Sequence, residues 1–314
     1  MTSEFIARLA RKLGVATRAD LRAMKDQMRA TQDEMRAMQT RMDDARAEMQ
    51  RSRAEVIALH ELQMLATSHF YNLWGDDNQR NSTNKALTEL FFGLVRITQP
   101  KLFIEAGAKM ADTSIRVRSI LPDARIVAFE ASPENHALYS KTVQHEKHRV
   151  EYLHYALSDR EGTIDFNIRV AAKGEPVPQN SGANSILVRS EPSTEYKKVA
   201  VPTKPLDDFF SDADTCALWV DVEGASKQVL TGASKTLSKA LVAIVEVEDY
   251  EIWEGQWRAA KVIETMMDAG LVPIARDFEF KGQYNIVFLR KDVFATSREI
   301  RQNIEFFYST LVKR

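Results

Sequence analysis

The sequence predicts a doubly wound, mostly parallel α/β domain carried behind a long N-terminal coiled coil. Residues 15–74 contain neither Gly nor Pro, and their apolar side chains recur at a heptad spacing. From Lys101 onward, short β-rich runs alternate with helical stretches, which is the order expected when helices cover a parallel sheet. We therefore expect a short basic amphipathic helix over 1–14, a coiled-coil oligomerisation helix over 15–74 and the α/β domain over 75–314.

Composition argues against several classes of protein. The chain has 43 Lys and Arg against 44 Asp and Glu, so no overall field favours nucleic acid, and no nucleic-acid partner is expected. No apolar run approaches the roughly 20 residues that span a bilayer, and the N-terminus lacks the pattern of a secretory signal. The single cysteine, Cys216, lies in an apolar run and is expected to be a buried thiol. These features predict a cytoplasmic protein.

The N-terminal helix carries a row of mostly apolar side chains, many of them methionines, at heptad positions a and d; we call this row the seam. Position a falls on Leu21, Met28, Met35, Met42, Met49 and Val56, and position d on Met24, Thr31, Met38, Ala45, Ser52 and Leu59. A repeat held over about six heptads is typical of a left-handed coiled coil. The alternative is a methionine-rich helix lying along its own globular domain. We favour a homo-oligomer because no other nearby apolar surface is long enough to cover the seam.

A basic amphipathic segment precedes that helix. Its apolar face consists of Phe5, Ile6, Leu9 and Leu13, and its flanks carry Arg8, Arg11 and Lys12. Such a helix can lie in a membrane interface, which would place residues 1–13 at the inner face of the membrane as a peripheral contact. The favoured alternative is a short capping helix that folds back onto the coiled coil or binds a partner protein.

The α/β domain shows its elements as apolar runs separated by turns. We predict strands over 102–106, 125–129, 150–156, 217–220 and 241–247, a closing pair over 271–274 and 285–289, helices over 133–144 and 257–269, and a long irregular excursion over 171–198.

Acidic residues end three of these strands. In an open α/β sheet ligands bind at the carboxyl ends of the strands, where Glu105, Glu130 and Asp221 are expected. Glu130 follows the turn after the first strand by about 20 residues, a spacing at which a carboxylate accepts hydrogen bonds from a ribose; we expect it to be exposed. No Gly-rich pyrophosphate turn is present, so a cofactor with a ribose but no phosphate fits better. S-adenosylmethionine is such a cofactor, and its cationic sulfonium suits an acidic rim.

Over about residues 91–290 the chain resembles the FkbM family of methyltransferases. The motifs that carry the resemblance are 105–111, 127–135, 156–162, 180–185, 205–209, 220–225, 246–248 and 285–288, in family order. The resemblance implies a Rossmann-like, class I methyltransferase domain, S-adenosylmethionine as cofactor, and O-methylation of a sugar, a glycan or another small hydroxylated acceptor.

The resemblance also assigns roles at the strand ends. Candidate cofactor-binding residues are Glu105, Gly107, Ala108, Glu130, Ala131, Ser158, Asp159 and Asp221. Among them Glu130 is assigned to the ribose, the Gly107-Ala108 backbone to the methionine portion, and Ser158 and Asp159 to the surroundings of the adenine. Asp221 is the first candidate for the base or acceptor-orienting carboxylate, with Glu223 and Glu246 as second choices. No metal site is expected, because no histidine has metal-ligand spacing.

Three residues depart from the family pattern. Lys109 and Ala111 stand where the family usually has a small amide and a glycine, and Ser226 stands where it usually has a second glutamate. These departures leave open the alternative that the chain is a catalytically inactive scaffold or assembly protein that keeps the methyltransferase fold. A third interpretation, a nucleotide-sugar enzyme, would require pyrophosphate-binding glycines that the sequence lacks.

Overall fold

The structure is a computed structural model, and it describes residues 8, 12, 14, 18–70, 73, 77–178, 181–210 and 214–311. The chain divides into two compact units, Met1–Ala58 and Leu59–Arg314. The basic amphipathic helix predicted over 1–14 lies outside the described residues apart from three isolated positions.

Helix α1 spans Arg18–Phe70 without a break. Its 53 residues extend about 80 Å, as the absence of Gly and Pro predicts. Methionines of the predicted seam are open to solvent; Met28, Met35, Met42 and Met49 are 55%, 66%, 44% and 49% exposed. Among the described helices, none is both long and apolar enough to cross a membrane.

The remaining elements alternate between helix and strand. In chain order they are α2 Asp77–Thr98, β1 Leu102–Ala106, α3 Asp112–Ile120, β2 Arg125–Phe129, α4 Pro133–Thr142, β3 Glu151–Leu153, β4 Ala156–Leu157, β5 Gly162–Ala172, β6 Glu175–Pro176, β7 Thr194–Lys204, α5 Leu206–Phe209, β8 Cys216–Val220, α6 Ser226–Thr231, α7 Ser234–Lys239, β9 Ala240–Glu248, α8 Ala259–Asp268, β10 Leu271–Arg276, β11 Gln283–Arg290, α9 Lys291–Thr296 and α10 Arg298–Thr310. A 3₁₀ turn over His145–His148 precedes β3.

Seven strands form the main sheet in the order β10-β11-β9-β8-β1-β2-β3. The five strands from β9 to β3 are parallel, and β11 pairs antiparallel with both β9 and β10. The chain therefore reverses its direction of strand addition between β1 and β8, where the carboxyl ends of neighbouring strands diverge and leave a crevice.

Buried side chains on one face of the main sheet pack against α2, α3 and α10. Phe91 of α2 lies against Phe103 of β1 and Trp219 of β8, with ring centroids 6.3 and 5.4 Å apart. Strands β1, β8 and β9 are buried on both faces, as their continuous apolar runs predict.

A second sheet, of order β4-β7-β5-β6, corrects two predicted boundaries. The strand predicted over 150–156 splits, because β3 joins the main sheet whereas β4 pairs with β7. The irregular excursion predicted over 171–198 shrinks to 173–193, since β5 and β7 form a long antiparallel pair that extends into it. Long-range pairing of this kind has no local sequence signal.

Candidate active site

A cavity of about 160 Å³ opens at the carboxyl ends of β1, β2 and β8. We call residues 173–178 and 181–193 the insertion; together with the second sheet, the insertion covers one side of the cavity. Its lining comprises Gly107, Lys109, Phe129, Glu130, Ala131, Asn135, Tyr155, Ala156, Leu157, Phe166, Gly182, Asn184, Ile186, Asp221, Val222, Glu223 and Ala225. Ligand pockets commonly enclose roughly 300–1,000 Å³, so the enclosed part of the crevice is smaller than a typical ligand pocket.

Gly107 brings the turns after β1 and β8 into contact. Its φ is +82°, and an added Cβ would lie 1.7 Å from the carbonyl oxygen of Asp221. The amides of Gly107 and Ala108 both donate to the carbonyl of Phe129, at 3.0 and 2.8 Å. These two N–H groups, predicted to bind the methionine portion, are therefore engaged with β2, and Ala108 is buried outside the cavity lining.

Glu130 lies at the cavity wall but is buried, 6% exposed, rather than exposed as expected. Its two carboxyl oxygens accept hydrogen bonds from the amides of Lys109 and Ser132, each at 2.7 Å. Burial raises the pKa of Glu130, and these two amides oppose the rise. Each carboxylate oxygen can accept a second hydrogen bond, so the geometry leaves capacity for the hydroxyls of a ribose.

Glu105, also predicted at the cofactor, does not line the cavity. Its Oε2 accepts hydrogen bonds from the amide and the hydroxyl of Ser114, at 2.9 and 2.5 Å, near the start of α3. Burial raises the pKa of Glu105 to about 8. In this position Glu105 orients α3 beneath the turn after β1, rather than reaching the crevice.

Asp221 and Glu246 form a carboxyl pair beside the crevice. Val220 is in register with Val245, so the residues that follow them meet at the ends of parallel strands. Two carboxyl groups placed side by side in this way share a hydrogen bond only when the pair holds a proton. Burial raises the pKa of both, and that of Glu246 is raised further by neighbouring carboxylates. Gln283 donates to Glu246 at 3.1 Å.

Two further carboxyl groups adjoin this pair. Burial and the charge of Asp221 raise the pKa of Glu223 to about 8, and Arg189 opposes that rise. Glu248, which is not among the predicted site residues, is 1% exposed and accepts a hydrogen bond from Gln256 at 3.1 Å. Burial and Asp221 raise the pKa of Glu248 to about 7. In the described part of the chain, no group of His, Cys, Asp and Glu has an arrangement that could hold a metal ion.

The remaining residues predicted at the cofactor, Ala131 and the pair assigned to the adenine, divide into two sets. Ala131 lines the cavity, whereas Ser158 and Asp159 do not. Ser158 is buried and donates to the Asp159 carboxylate at 3.0 Å. The residues just before them, 155–157, line the cavity instead, because the chain leaves the main sheet after β3.

The insertion closes over the crevice through two hydrogen bonds that sequence reasoning missed. Asn135 at the start of α4 donates to the Ser181 carbonyl at 3.3 Å, and the Ser185 hydroxyl donates to the Glu223 carbonyl at 2.7 Å. The Gly/Ser-rich composition of 180–185 was the available signal, but it does not say which strand ends the segment reaches.

A column of stacked rings supports the turns from behind. Tyr152 stacks between His136 and His145 at 4.8 and 4.1 Å, and His136 also stacks on His154 at 5.0 Å. The Tyr152 hydroxyl donates to the Lys109 carbonyl. His145 is buried. The column therefore packs beneath the turn that carries Lys109.

The departures from the family pattern have structural consequences. Lys109 and Ala111 both adopt left-handed backbone conformations, with φ of +47° and +60°. Ala111 thus takes the conformation that glycine adopts without strain, at roughly 1–2 kcal/mol for an L-residue. Lys109 is the basic residue among those described as lining the cavity. Ser226 is buried, and its hydroxyl has no hydrogen-bond partner among the described residues.

With this geometry in view, the family can be assigned. A model of the methyltransferase FkbM domain matches residues 105–280, more than half of the chain. The chain is a member of the FkbM methyltransferase family. It is 26% identical over 181 residues to the 2-O-methyltransferase NoeI of Sinorhizobium fredii (strain NBRC 101917 / NGR234), a match that covers 54% of this chain and 73% of that relative.

Solved structures of methyltransferases are similar at a distance. The precorrin-6y C5,15-methyltransferase of Geobacter metallireducens GS-15 matches over 64% of this chain and 86% of its own, with 12% identity and a TM-score of 0.35. Aeropyrum pernix fibrillarin with bound S-adenosyl-L-methionine matches over 61% and 67%, with 10% identity and a TM-score of 0.33. At such scores the likeness adds no argument, and the assignment rests on the family match.

This FkbM-family protein is an S-adenosylmethionine-dependent methyltransferase with a Rossmann-like fold. The residues that line its crevice fit that cofactor in their chemistry. Apolar groups such as Phe129 and Leu157 offer contact to a purine, and Glu130 and Asp221 supply negative charge toward a sulfonium. The Oε2 atom of Glu223, buried without a hydrogen-bond partner in the described structure, can receive a polar group of a ligand.

Proposed function

We propose that this methyltransferase acts on a hydroxyl group of a sugar, a glycan or another small hydroxylated metabolite. The observation that carries the proposal is the pair of buried carboxyl groups, Asp221 and Glu246, which the register of β8 and β9 places side by side next to the crevice. An alcohol attacks a methyl carbon well only if its proton is removed as the bond forms. A carboxyl pair whose pKa values burial raises is a stronger base than a free carboxylate.

The protein residues divide the chemistry. When bound, the cofactor supplies an electrophilic methyl group whose C–S bond breaks as the new O–C bond forms, with the bonding pair passing to sulfur. Asp221 accepts the proton of the attacking hydroxyl, and Glu246 donates a hydrogen bond that steadies the resulting charge distribution. Glu130 would hold the ribose of the bound cofactor on the same cavity wall from which Asp221 acts. Holding the two reactants in attack geometry is worth up to about 7–11 kcal/mol.

Substitution within the pair tests the base. Asp221→Asn should lower kcat by roughly 10²–10⁴-fold, while calorimetry with S-adenosylhomocysteine shows retained binding. Glu246→Gln keeps a hydrogen-bond donor to Asp221, so it should retain more activity than Asp221→Asn. Because the glutamine has no carboxyl proton to lose, the fall in kcat at alkaline pH should disappear. A kcat of Asp221→Asn within about three-fold of the wild type, with the same pH profile, would remove the pair from the mechanism.

A relative and the charge of the crevice both support a hydroxylated acceptor. NoeI is named a 2-O-methyltransferase, and the carboxyl groups at 221, 223, 246 and 248 favour a neutral acceptor over an anionic one. Incubation with methyl-labelled cofactor and a panel of neutral and anionic saccharides should place the label on a hydroxyl of a neutral sugar. Label found only on amino or carboxylate acceptors would refute the proposal.

We also propose that α1 joins copies of the chain as a coiled coil. The support is the row of exposed apolar side chains at heptad positions, Met28, Met35, Met42 and Met49. Such a row is stable in water only when another apolar surface covers it.

Charge introduced into the seam tests this assembly. Light scattering should give a multiple of 35.7 kDa for the wild type and 35.7 kDa itself for the Met35→Glu, Met42→Glu double variant. Ala47→Glu, on the opposite side of the helix, is the matched control and should keep the wild-type mass. An unchanged mass in the double variant would exclude the proposed seam.

A further inference from the structure

Arg189 connects the insertion to the carboxyl groups beside the crevice. Residues 188–190 form a short antiparallel ladder with 252–254, through backbone hydrogen bonds of 2.9 and 2.8 Å. The Arg189 guanidinium lies over the Trp253 ring, 4.7 Å from its centroid. Its Nη2 atom lies 3.8 Å from Oε2 of Glu223. The ladder and the ring therefore fix the direction in which this cation points.

The turn that carries Glu223 is held by the same elements. Glu223 and Gly224 have φ of +50° and +80°, and an added Cβ on Gly224 would lie 2.4 Å from the Trp253 ring. Trp253 is completely buried. The Ser185 hydroxyl of the insertion donates to the Glu223 carbonyl at 2.7 Å. The insertion thus contacts Glu223 at its backbone and, through Arg189, at its carboxylate.

The charges around Glu223 are unbalanced. The carboxyl groups that face it are those of Asp221, Glu246 and Glu248, and the cations are Arg189 and Arg169. Burial and Asp221 favour the protonated form of Glu223, and the two cations oppose them. Arg189 and Glu223 are only 23% and 20% exposed, so solvent screens their attraction little.

We propose that Arg189 is a positioning residue for methyl transfer, which holds the Glu223 carboxyl group beside the Asp221–Glu246 pair and increases the fraction of it that is ionised near neutral pH. A negative charge on Glu223 makes the pair a stronger base, because like charges at short range favour uptake of a proton. A protonated Glu223 would instead leave the pair less basic. The inference rests on the proposed function, since it takes the pair to be the acceptor of the hydroxyl proton.

The test replaces the cation and follows two signals. In Arg189→Gln the pKa of Glu223 should rise by about 1–3 pH units, as expected when an opposite charge within 4–6 Å is lost. The acid limb of the kcat profile should move to higher pH, and kcat near pH 7 should fall about ten-fold for each pH unit that the limb moves. The Glu223 titration is read directly by carbon NMR of the full-length protein labelled in its glutamate carboxyls, with Glu223→Gln for assignment.

Two variants make the test specific. Arg189→Lys keeps the positive charge but loses the planar group that stacks on Trp253. It should fold, and the pKa of Glu223 in this variant should lie close to the wild-type value. Arg298→Gln removes an exposed arginine at the start of α10 and should leave both signals unchanged. The KM for the cofactor should change less than kcat in every variant, because Arg189 does not line the cavity.

The outcomes separate the two proposals. A Glu223 titration that stays in place in Arg189→Gln overturns the role of Arg189, whatever happens to the rate. A titration that moves while the kcat profile does not shows that Arg189 controls Glu223 but overturns its part in methyl transfer, whereas the carboxyl pair as base stands or falls with Asp221→Asn. Failure of Arg189→Lys to restore the titration also counts against the inference, since the charge alone is held responsible.

Discussion

Replacing Gly107 by Ala tests whether the turns after β1 and β8 are locked together. Gly174 offers a matched control, because its φ of +80° is close to the +82° of Gly107 while an added Cβ there has nothing within 4 Å. At Gly107 the added Cβ lies 1.7 Å from the Asp221 carbonyl oxygen. The two variants therefore share the backbone strain and differ in the overlap.

The magnitudes follow from these contacts. A left-handed L-residue costs roughly 1–2 kcal/mol, and the lower entropy of the unfolded alanine variant offsets about 0.4–1 kcal/mol of that, so Gly174→Ala should lose about 1 kcal/mol. In Gly107→Ala the Asp221 carbonyl must also retreat by about an ångström. That movement adds roughly 1–3 kcal/mol of overpacking and disturbs the 3.0 Å hydrogen bond from the Asp221 amide to Ala106, worth about 1 kcal/mol.

Urea unfolding followed by tryptophan fluorescence measures the difference, since all four tryptophans lie outside α1. We expect Gly107→Ala to lose roughly 3–5 kcal/mol in total, at an unchanged m value, and to bind S-adenosylhomocysteine more weakly because Asp221 is displaced. If the two alanine variants unfold within about 1 kcal/mol of each other, the turns are not in the contact described.

Three further predictions concern buried titratable groups. Glu130→Gln should weaken S-adenosylhomocysteine binding by roughly 10–100-fold, the worth of charge-assisted hydrogen bonds; calorimetry giving wild-type affinity would exclude Glu130 from the ribose site. Burial raises the pKa of Glu105 from 4.5 to about 8, so the folded state keeps a proton that the unfolded state has lost. Stability should therefore fall as pH rises from about 4.5 to 8, and Glu105→Gln should reduce that fall in thermal unfolding; equal slopes would refute this. Burial raises the pKa of Cys216 to about 12, so a thiol reagent should label it only at the rate of unfolding, and rapid labelling of the native protein would contradict its burial.

The strands of the main sheet could be predicted because their sequences are apolar without interruption. The second strand was predicted over 125–129, and β2 has those bounds. Runs such as 217–220 and 241–247 lie within β8 and β9, which extend them by one or two residues. A strand that is buried on both faces can be recognised from its own sequence, because burial favours apolar residues at nearly every position.

The directions of the strand-end acids could not be predicted from their position in the sequence. Glu105 is in register with Trp219, two residues before Asp221. It therefore lies further from the strand ends than Asp221 does, and its side chain contacts α3 instead of the cavity. Glu130 follows the last residue of β2 and reaches the cavity. Both are acids beside a turn, and only the register between neighbouring strands, which the sequence does not contain, separates them.

The two sides of the crevice are built by different means. On the cofactor side, the turns at Gly107 and Glu130 are fixed by backbone hydrogen bonds between strands, so a substitution there disturbs the sheet itself. On the other side, the insertion is attached by two isolated backbone bridges, at Ser185 and Arg189, and by the side chains of the same two residues. Changes within 173–193 can therefore alter the surroundings of Asp221 without unfolding the domain. Under the proposed function, acceptor preference should respond to the insertion, and cofactor affinity to the turns of the main sheet.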